Sequence, residues 1–484
     1  TSTEKIKNLA KQSLSYSAGN LINKFLLFLM IPLYAEFIMP EDFSLLEILN
    51  PAEQFIYGIC SLGLIHGFLR FFPKSDDADY KRRLLSSLLW FLTIIASVVS
   101  IILIIFADTL IDVLLPAHTL ARSAFLLTIV SLFIRFINLL SSGYFNSTEQ
   151  ADKYSFWNVV GTFILCTYNF VFLVFLEAEI DAVFEARIFS MLPLLIAGIF
   201  SFRKQIILTI DWSLIKDILK FSSPFILTAA AYPILTDFDR WMLSELGSPE
   251  ATGIYGMSYR FGMIPGMLLV TPFLKAWRPF IYNYDDVETR EVVYGRILLY
   301  YSFLGLCMWL GLSVFGEEII MIFTSEAYLE GYIIIPYVAS AQLLYGLGWI
   351  VIAGLTVQDK TLFIGVSTLA AGLLNIILNY IWIPEFEILG AAYATLVSFI
   401  FLFLGYASYS YYKMPLPWPI LRLAGMLAVS IGGYAIIKFL GPNGFVASLA
   451  VKVSVTLVSI FILATLAKLN IKKIKELTSL FDKN

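Results

Sequence analysis

Charge is what this sequence has least of. Only 14% of its 484 residues are Asp, Glu, Lys or Arg, where an ordinary soluble chain has about a quarter. That excludes a water-soluble enzyme, a disordered tail protein and a nucleic-acid binder with a basic face. Cysteine is scarce as well. Cys60, Cys166 and Cys307 each lie inside an apolar run, and an odd, scattered set of thiols excludes a disulfide framework. Two histidines without Cys/His spacing exclude a structural zinc site. Walker A, nucleophile-elbow and HExxH patterns are all missing, so the chain reads as neither an ATPase nor an enzyme. A cleavable leader is not visible either, because Lys5, Lys7 and Lys11 lead straight into a long apolar run.

What the sequence does have is apolar length. Hydrophobic residues make up 59% of the chain, the mean hydropathy is +0.81, and the apolar stretches cover nearly the whole sequence. A helix needs about 20 apolar residues to cross the hydrocarbon core. Fourteen such runs are predicted, near 12–35, 51–70, 84–106, 120–142, 154–176, 183–201, 221–243, 252–274, 296–316, 332–355, 362–383, 389–411, 420–438 and 446–468. Their continuity favours helices over the ten-residue alternation of a barrel. The fold class is therefore all-α, a polytopic membrane protein of about fourteen spans. With the N-terminus inside, 25 Lys and Arg fall in inner segments and only Arg122, Arg187 and Lys438 in outer ones. By the positive-inside rule both termini are expected in the cytoplasm.

The stretch 202–220 carries Trp212, Leu214, Ile215, Ile218 and Leu219 among charges and is predicted to be an amphipathic linker helix on the cytoplasmic surface. It divides the chain into a six-span lobe over 1–201, a second over 221–412, and two further spans with a basic tail over 413–484. The entry to span 1, Leu14 to Gly19, is echoed by Leu219 to Pro224 at span 7. Each then runs to a Pro-Glu pair, Pro40-Glu41 and Pro249-Glu250, the second about one helical turn further on. Both spans run outward, so the repeat is parallel. The outer stretches 36–50 and 107–119 are too short for a domain.

Charges at membrane depth cost roughly 2.5–3.5 kcal/mol each on insertion scales and usually face a cavity or a partner. The sequence places Lys24, Glu53, Arg135, Asp237, Asp239, Arg240, Arg260 and Lys452 there. Lys24, Arg135 and Arg260 read as cavity cations, because a lone cation is poor glue between helices. Asp237, Asp239 and Arg240 read either as a structural ion cluster or as an ion-coupling site. Glu53 is expected at the outer interface of span 2, and Lys452 to snorkel. The stripes Ser131/Asn138/Ser142, Asn158/Thr162/Asn169 and Gly372/Asn375/Asn379 read as interhelical hydrogen-bond glue.

Several blocks resemble a known family. They are Ser17-Ala18-Gly19-Asn20 with Ile31-Pro32-Leu33-Tyr34 and Pro40-Glu41-Asp42-Phe43; Pro224 followed by Asp239-Arg240; Gly253 to Arg260; Ala276-Trp277-Arg278-Pro279-Phe280; and Asn375 to Asn379 with Ile383-Pro384 and Gly390 to Thr395. Together they look like a polysaccharide transporter, an oligosaccharide flippase of the O-antigen or exopolysaccharide type, in the multidrug/oligosaccharidyl-lipid/polysaccharide exporter superfamily. The resemblance implies two six-helix lobes related by a pseudo-twofold axis around a central cavity, alternating access, and an inner-membrane location. It implies a polyprenyl-pyrophosphate-linked oligosaccharide as substrate, which Lys24, Arg135 and Arg260 would contact through the pyrophosphate. No bound cofactor is implied, although coupling to a proton or sodium gradient through Asp237 and Asp239 fits the superfamily. A polysaccharide polymerase or glycosyltransferases are conceivable partners. Lipid II flippases of the superfamily place several Arg in the first spans, where this chain has only Lys24. Its antiporters usually have twelve spans and an acidic site. Both stay as alternatives.

Overall fold

The computed structural model describes residues 2–115, 120–223, 226, 233–282, 287–352, 361–413, 418–440 and 445–468. Among them the chain is helical, and it divides into two compact units, Thr1–Gly253 and Ile254–Asn484. The basic tail beyond Lys468 and Pro224 lie outside the described residues.

In the first unit the helices are α1 (Ser2–Phe37), α2 (Pro40–Cys60), α3 (Leu64–Phe71), α4 (Ala78–Ile105), α5 (Ala107–Leu114), α6 (Ala121–Ser147), α7 (Ala151–Phe175), α8 (Asp181–Phe202), α9 (Trp212–Ser222) and α10 (Phe238–Leu246). Across the unit boundary runs α11 (Pro249–Gly262). The second unit continues with α12 (Thr271–Tyr282), α13 (Val287–Val314), α14 (Gly316–Phe323), α15 (Ile335–Val351), α16 (Thr361–Lys413), α17 (Ile420–Leu440) and α18 (Phe445–Leu466).

Ten described helices are long and apolar enough to cross a membrane, or eleven when α2 and the helix after it, bent by 49°, count as one span. Three physical causes separate this count from fourteen runs. The 53-residue α16 contains two runs, joined where Glu387 takes a left-handed φ of 45° after Pro384. The run 252–274 is divided at Pro265 by a π-helical turn over Gly266–Val270, since proline removes a donor from the ladder. The run 221–243 lies partly outside the described residues. The stretch 36–50, expected as a connection, is instead the first half of α2, with Pro40 in its first turn. The 107–119 connection contains α5.

The repeat in the chain is closer than the sequence echo suggests. Pro40 and Pro249, Ala78 and Val287, and Ala107 and Gly316 open matching helices, and each pair is 209 residues apart. Both α4 and α13 have 28 residues, and each is followed after one residue by an eight-residue helix. The second span is broken both times, at Leu62-Gly63 with positive φ and at Pro265. Internal structural repeats are a plan found among transporters.

Lipid-facing and buried surfaces separate as the period of a helix requires. On α4, Ile94, Val98, Ile101 and Ile105 form an exposed apolar stripe, while Leu84, Leu85, Leu88, Leu92 and Ala96 are buried with Phe68, Phe136 and Phe202. Small residues bring the helices close. A Cβ on Gly161 of α7 would lie 2.2 Å from the Ser190 carbonyl oxygen of α8, and one on Gly198 of α8 would lie 2.1 Å from the Ser141 hydroxyl of α6. Polar stripes then supply hydrogen bonds. Asn138 donates to the Met191 carbonyl (3.0 Å) and Asn169 to the Tyr34 hydroxyl (3.0 Å). These two bonds are interhelical; Asn158 and Asn379 instead bond within their own helices, to the Tyr154 carbonyl and Asn375.

The linker helix does not lie free on a surface. Asp211 caps α9 by accepting from the Ser213 and Leu214 amides. Ile215 and Ile218 are buried in the core of the first unit, and Ile218 comes so close to Gly67 that a Cβ there would sit 2.4 Å away. The strand-like approach to α9 is strapped to α4. Trp90 Nε1 donates to the Ile207 carbonyl (2.9 Å), and the Ile207 and Asp211 amides donate to Ser86 and Ser87 (2.9 and 2.8 Å). The amphipathic pattern is real, but its apolar face meets protein.

Candidate functional site

Helix α2 carries two ionic networks, centred on Glu47 and Glu53, six residues and so about 9 Å apart along its axis. Both lie in the first unit. A stretch of apolar side chains from Phe43 to Leu49 and Ala52 packs α2 into that unit, and this burial fixes where the two carboxylates point.

Glu53 is fully buried, contrary to its expected interfacial position. Its Oε1 accepts from Arg135 Nη1 of α6 at 3.3 Å, and its Oε2 accepts from the Ser131 hydroxyl at 3.0 Å and from Arg187 Nη2 of α8. The other terminal nitrogen of Arg187 donates to Asn50 Oδ1, one turn before Glu53. The Arg135 guanidinium also lies over the Tyr57 ring, 4.4 Å from its centroid, a cation–π contact that holds its face and leaves its edges directed. So Arg135 is not a lone cation. It is one of two guanidiniums on a single carboxylate, with side chains 32% exposed for Arg135 and 17% for Arg187. The Ser131/Arg135/Asn138 stripe of α6 is thereby split between ionic and hydrogen-bonding roles.

Around Glu47 the signs reverse. Arg240 Nε donates to Glu47 Oε2 at 2.9 Å, and its Nη1 reaches Asp237 (3.3 Å), Asp239 (3.2 Å) and the Thr236 carbonyl (2.9 Å). Trp241 Nε1 donates to the Ile48 carbonyl at 2.9 Å. These bonds fasten α10 to α2. Asp239 and Arg240 are buried, while Asp237 is partly open beside Pro51, Phe55, Pro233, Phe238 and Trp241, which line a small pocket. Among the described residues, no three His, Cys, Asp or Glu side chains converge as a metal site.

Lys24 is half-buried on α1 in the first unit, and Arg260 is half-buried near the end of α11 in the second. Lys452 does not snorkel. It pairs with Glu318 of α14, with both side chains largely covered. Sequence reasoning gave no role to Glu47 or Arg187, and placed Glu53 at membrane depth without its partners. Two signals were available. Asn50 and Glu53 share one face of a helix at i, i+3 spacing. Arg187 is one of three basic residues that the charge bias assigns to outer segments.

These features define a polytopic, all-α membrane protein on a repeated helical plan, with ion networks inside its first unit. Its family follows from comparison. The model of a family described as polysaccharide biosynthesis protein matches residues 9–284, more than half of the sequence, and the chain belongs to that family. It is 25% identical over 418 residues to an uncharacterised membrane protein of Methanocaldococcus jannaschii, covering 82% of this chain and 96% of that one. Its fold is similar to that of the lipid II flippase MurJ in an inward closed conformation, with a TM-score of 0.74, 18% identity, and 93% and 98% of the two chains covered. It is also similar to a multidrug resistance transporter of the MATE family of the MOP superfamily, inward-facing, with a TM-score of 0.65, 14% identity, and 80% and 94% covered.

Proposed function

We propose that this protein is a flippase that carries a polyprenyl-pyrophosphate-linked oligosaccharide from the cytoplasmic to the outer leaflet by alternating access, for cell-surface polysaccharide synthesis. The observation that carries the reading is a set of membrane-depth cations, Lys24, Arg135 and Arg260, in a member of a polysaccharide biosynthesis family. Such a substrate has a tail that stays in lipid, a headgroup that must cross through a polar path, and a pyrophosphate that needs cationic donors. Arg supplies a planar fork matched to phosphate oxygens. The charge bias supports cytoplasmic termini, and a role in cell-surface polysaccharide synthesis favours the inner membrane. The bilayer and the lipid-linked sugar are its partners, and a polymerase or glycosyltransferase acting on the same sugar is a further one. The chemistry asked of the chain is movement and not bond-making, so it is a transporter and not an enzyme.

Coupling belongs to the Glu47 network. Asp237, the most open of its acids, and Asp239 surround Arg240, and a change in their protonation alters what fastens α10 to α2. The gradient that this coupling draws on is that of protons or sodium ions.

The test is deletion of the gene followed by extraction of polyprenyl-linked sugars. Accumulation of a finished oligosaccharide-lipid with loss of surface polysaccharide supports the reading. Accumulation of lipid II would favour the second reading, which the similarity to MurJ recommends. Normal surface glycans with raised sensitivity to cationic drugs would move the protein to the antiporters. Replacing Lys24 and Arg260 by Ala is expected to impair flipping with expression intact, and normal flipping in the double variant would refute their role.

A further inference from the structure

The Glu53 network has one anion too few. Two guanidiniums meet one carboxylate, so the group carries a net positive charge inside an apolar helical unit. Among the described residues no second carboxylate reaches either arginine. An uncompensated charge away from water is costly. The donors are also in excess. Of five N–H groups on each guanidinium, Arg135 directs one to Glu53, and Arg187 directs one to Glu53 and one to Asn50. Asn50 holds Arg187, the Tyr57 ring holds Arg135, and Ser131 holds the Glu53 carboxylate between them. Both guanidiniums keep further N–H groups, and both side chains are partly exposed.

The internal repeat shows that the fold does not require this network. At the 209-residue offset, Glu53, Arg135 and Arg187 correspond to Gly262, Leu344 and Leu396. The same helical plan stands in the second unit with apolar residues or glycine at all three places. The charges therefore belong to something that one unit does and the other does not.

We propose that Arg135 and Arg187, converged by Glu53, form a site for a phosphate-type oxyanion, and that Glu53 is the positioning residue that limits how tightly the anion is held. The carboxylate keeps the two forks together when no ligand is bound. It also offsets one of their two charges, so an arriving dianion is held and then released. A phosphate or pyrophosphate fits this arrangement, because its tetrahedral oxygens accept from two forks at once. Arg187 joins the substrate-contacting residues, and Glu53 acts through it. The proposal rests on the lipid-linked substrate reading above and names where in the first unit the anion sits.

The test is binding of farnesyl pyrophosphate to the full-length protein in zwitterionic nanodiscs, with farnesol as the uncharged control. Wild type is expected to bind farnesyl pyrophosphate, with affinity falling as salt rises. Arg187→Gln is expected to weaken binding at least tenfold, and Arg187→Lys, which keeps the charge but loses the fork, to weaken it less. Glu53→Gln is expected to tighten binding and slow dissociation, which a merely structural role would not do. Inorganic pyrophosphate added as competitor separates the two sources of the anion. Failure to compete assigns the site to a lipid headgroup, and equal competition assigns it to a soluble anion; both support the site. Farnesyl pyrophosphate binding that survives Arg187→Gln unchanged overturns the site while leaving the flippase reading standing. No binding by wild type overturns both. If Glu53→Gln aggregates on size exclusion, the two Arg187 variants decide alone, since they leave Glu53 bonded to Arg135 and Ser131.

Discussion

Glu53 should be the most costly residue of its network to remove, and the reason is the asymmetry of charge around it. A charge pair at 4 Å is worth about 4 kcal/mol at an effective dielectric near 20. Breaking a buried pair by deleting one partner typically costs about 3–5 kcal/mol, because the other charge is left uncompensated. Glu53→Ala strips two guanidiniums at once and leaves like charges facing each other, so the upper part of that range is expected. Arg187→Ala leaves Glu53 still bonded to Arg135 and Ser131; it loses the bonds to Glu53 and Asn50 but relieves the repulsion between the two guanidiniums, so about 1.5–3 kcal/mol is expected. Arg135→Ala should cost less again, since about a third of its side chain is exposed and water screens it. Arg122, paired with Asp108 at 3.2 Å but with both side chains more than 70% exposed, is the control; its replacement should cost under about 1 kcal/mol. Reversible unfolding in mixed micelles gives the four values, and the cycle through Glu53→Ala, Arg187→Ala and the double variant gives the coupling. A Glu53→Ala cost no greater than that of Arg122→Ala, or smaller than that of Arg187→Ala, would refute the account of the network.

Helix packing gives a second contrast. Gly161→Ala should destabilise by about 1–3 kcal/mol, because the new methyl meets a backbone carbonyl at 2.2 Å, whereas Gly405→Ala, with nothing within 4 Å, should be neutral or stabilise by up to about 1 kcal/mol; thermal unfolding in detergent reads both. Lys452→Met should destabilise the second unit by stranding Glu318, and Lys452→Met/Glu318→Gln should recover most of the loss, which the same assay measures. Tyr80, at the start of α4, donates to the Phe71 carbonyl at 3.2 Å, and burial first, then nearby Asp217, raises its phenol pKa. The folded state therefore keeps that proton after the unfolded chain loses it near pH 10, so stability falls as pH rises through that value. Tyr80→Phe should flatten this alkaline decline, and an unchanged slope between pH 9 and 11 would discount the residue.

The fold was legible because membrane insertion writes itself into sequence as length. Runs such as 84–106 and 446–468 need only hydropathy to be read, and α4 and α18 follow from them. Misreadings fall where length is not the deciding quantity. The first half of α2 looks like a connection because Pro40, Glu41 and Asp42 sit there, yet proline in a first turn and acids near a helix N-terminus are what a helix start contains. The linker was legible as amphipathic, but period alone cannot say whether an apolar face meets lipid or protein. Gly67, which lets Ile218 approach, is 151 positions away in sequence. The exactness of the repeat was also hidden. The two halves share helix lengths and start points, while few of the side chains at equivalent places match.

The ion networks were harder to read than the helices for a related reason. A charge at membrane depth announces itself, so Glu53, Arg135, Asp239 and Arg240 were found, but the pairing between charges does not. Glu53 lies 82 residues from Arg135 and 134 from Arg187, and Glu47 lies 193 from Arg240. No local pattern spans such distances, and a cation whose partner is out of sight reads as unpaired. The consequence reaches past the assignment of single residues. Both networks converge on α2, one tying it to α6 and α8 with an excess of guanidinium, the other tying it to α10 with three carboxylates on one guanidinium. An anion that loads Arg135 and Arg187 weakens their hold on Glu53, and loss of the Asp237 charge removes a competitor of Glu47 for Arg240 and so tightens α10's hold on α2. The two changes act on one helix at points about 9 Å apart, with Pro51 between them, so the two networks have a common element to bias. In Asp237→Asn, farnesyl pyrophosphate affinity should change while binding itself persists; an affinity equal to that of wild type would uncouple the networks and leave α2 as scaffold alone.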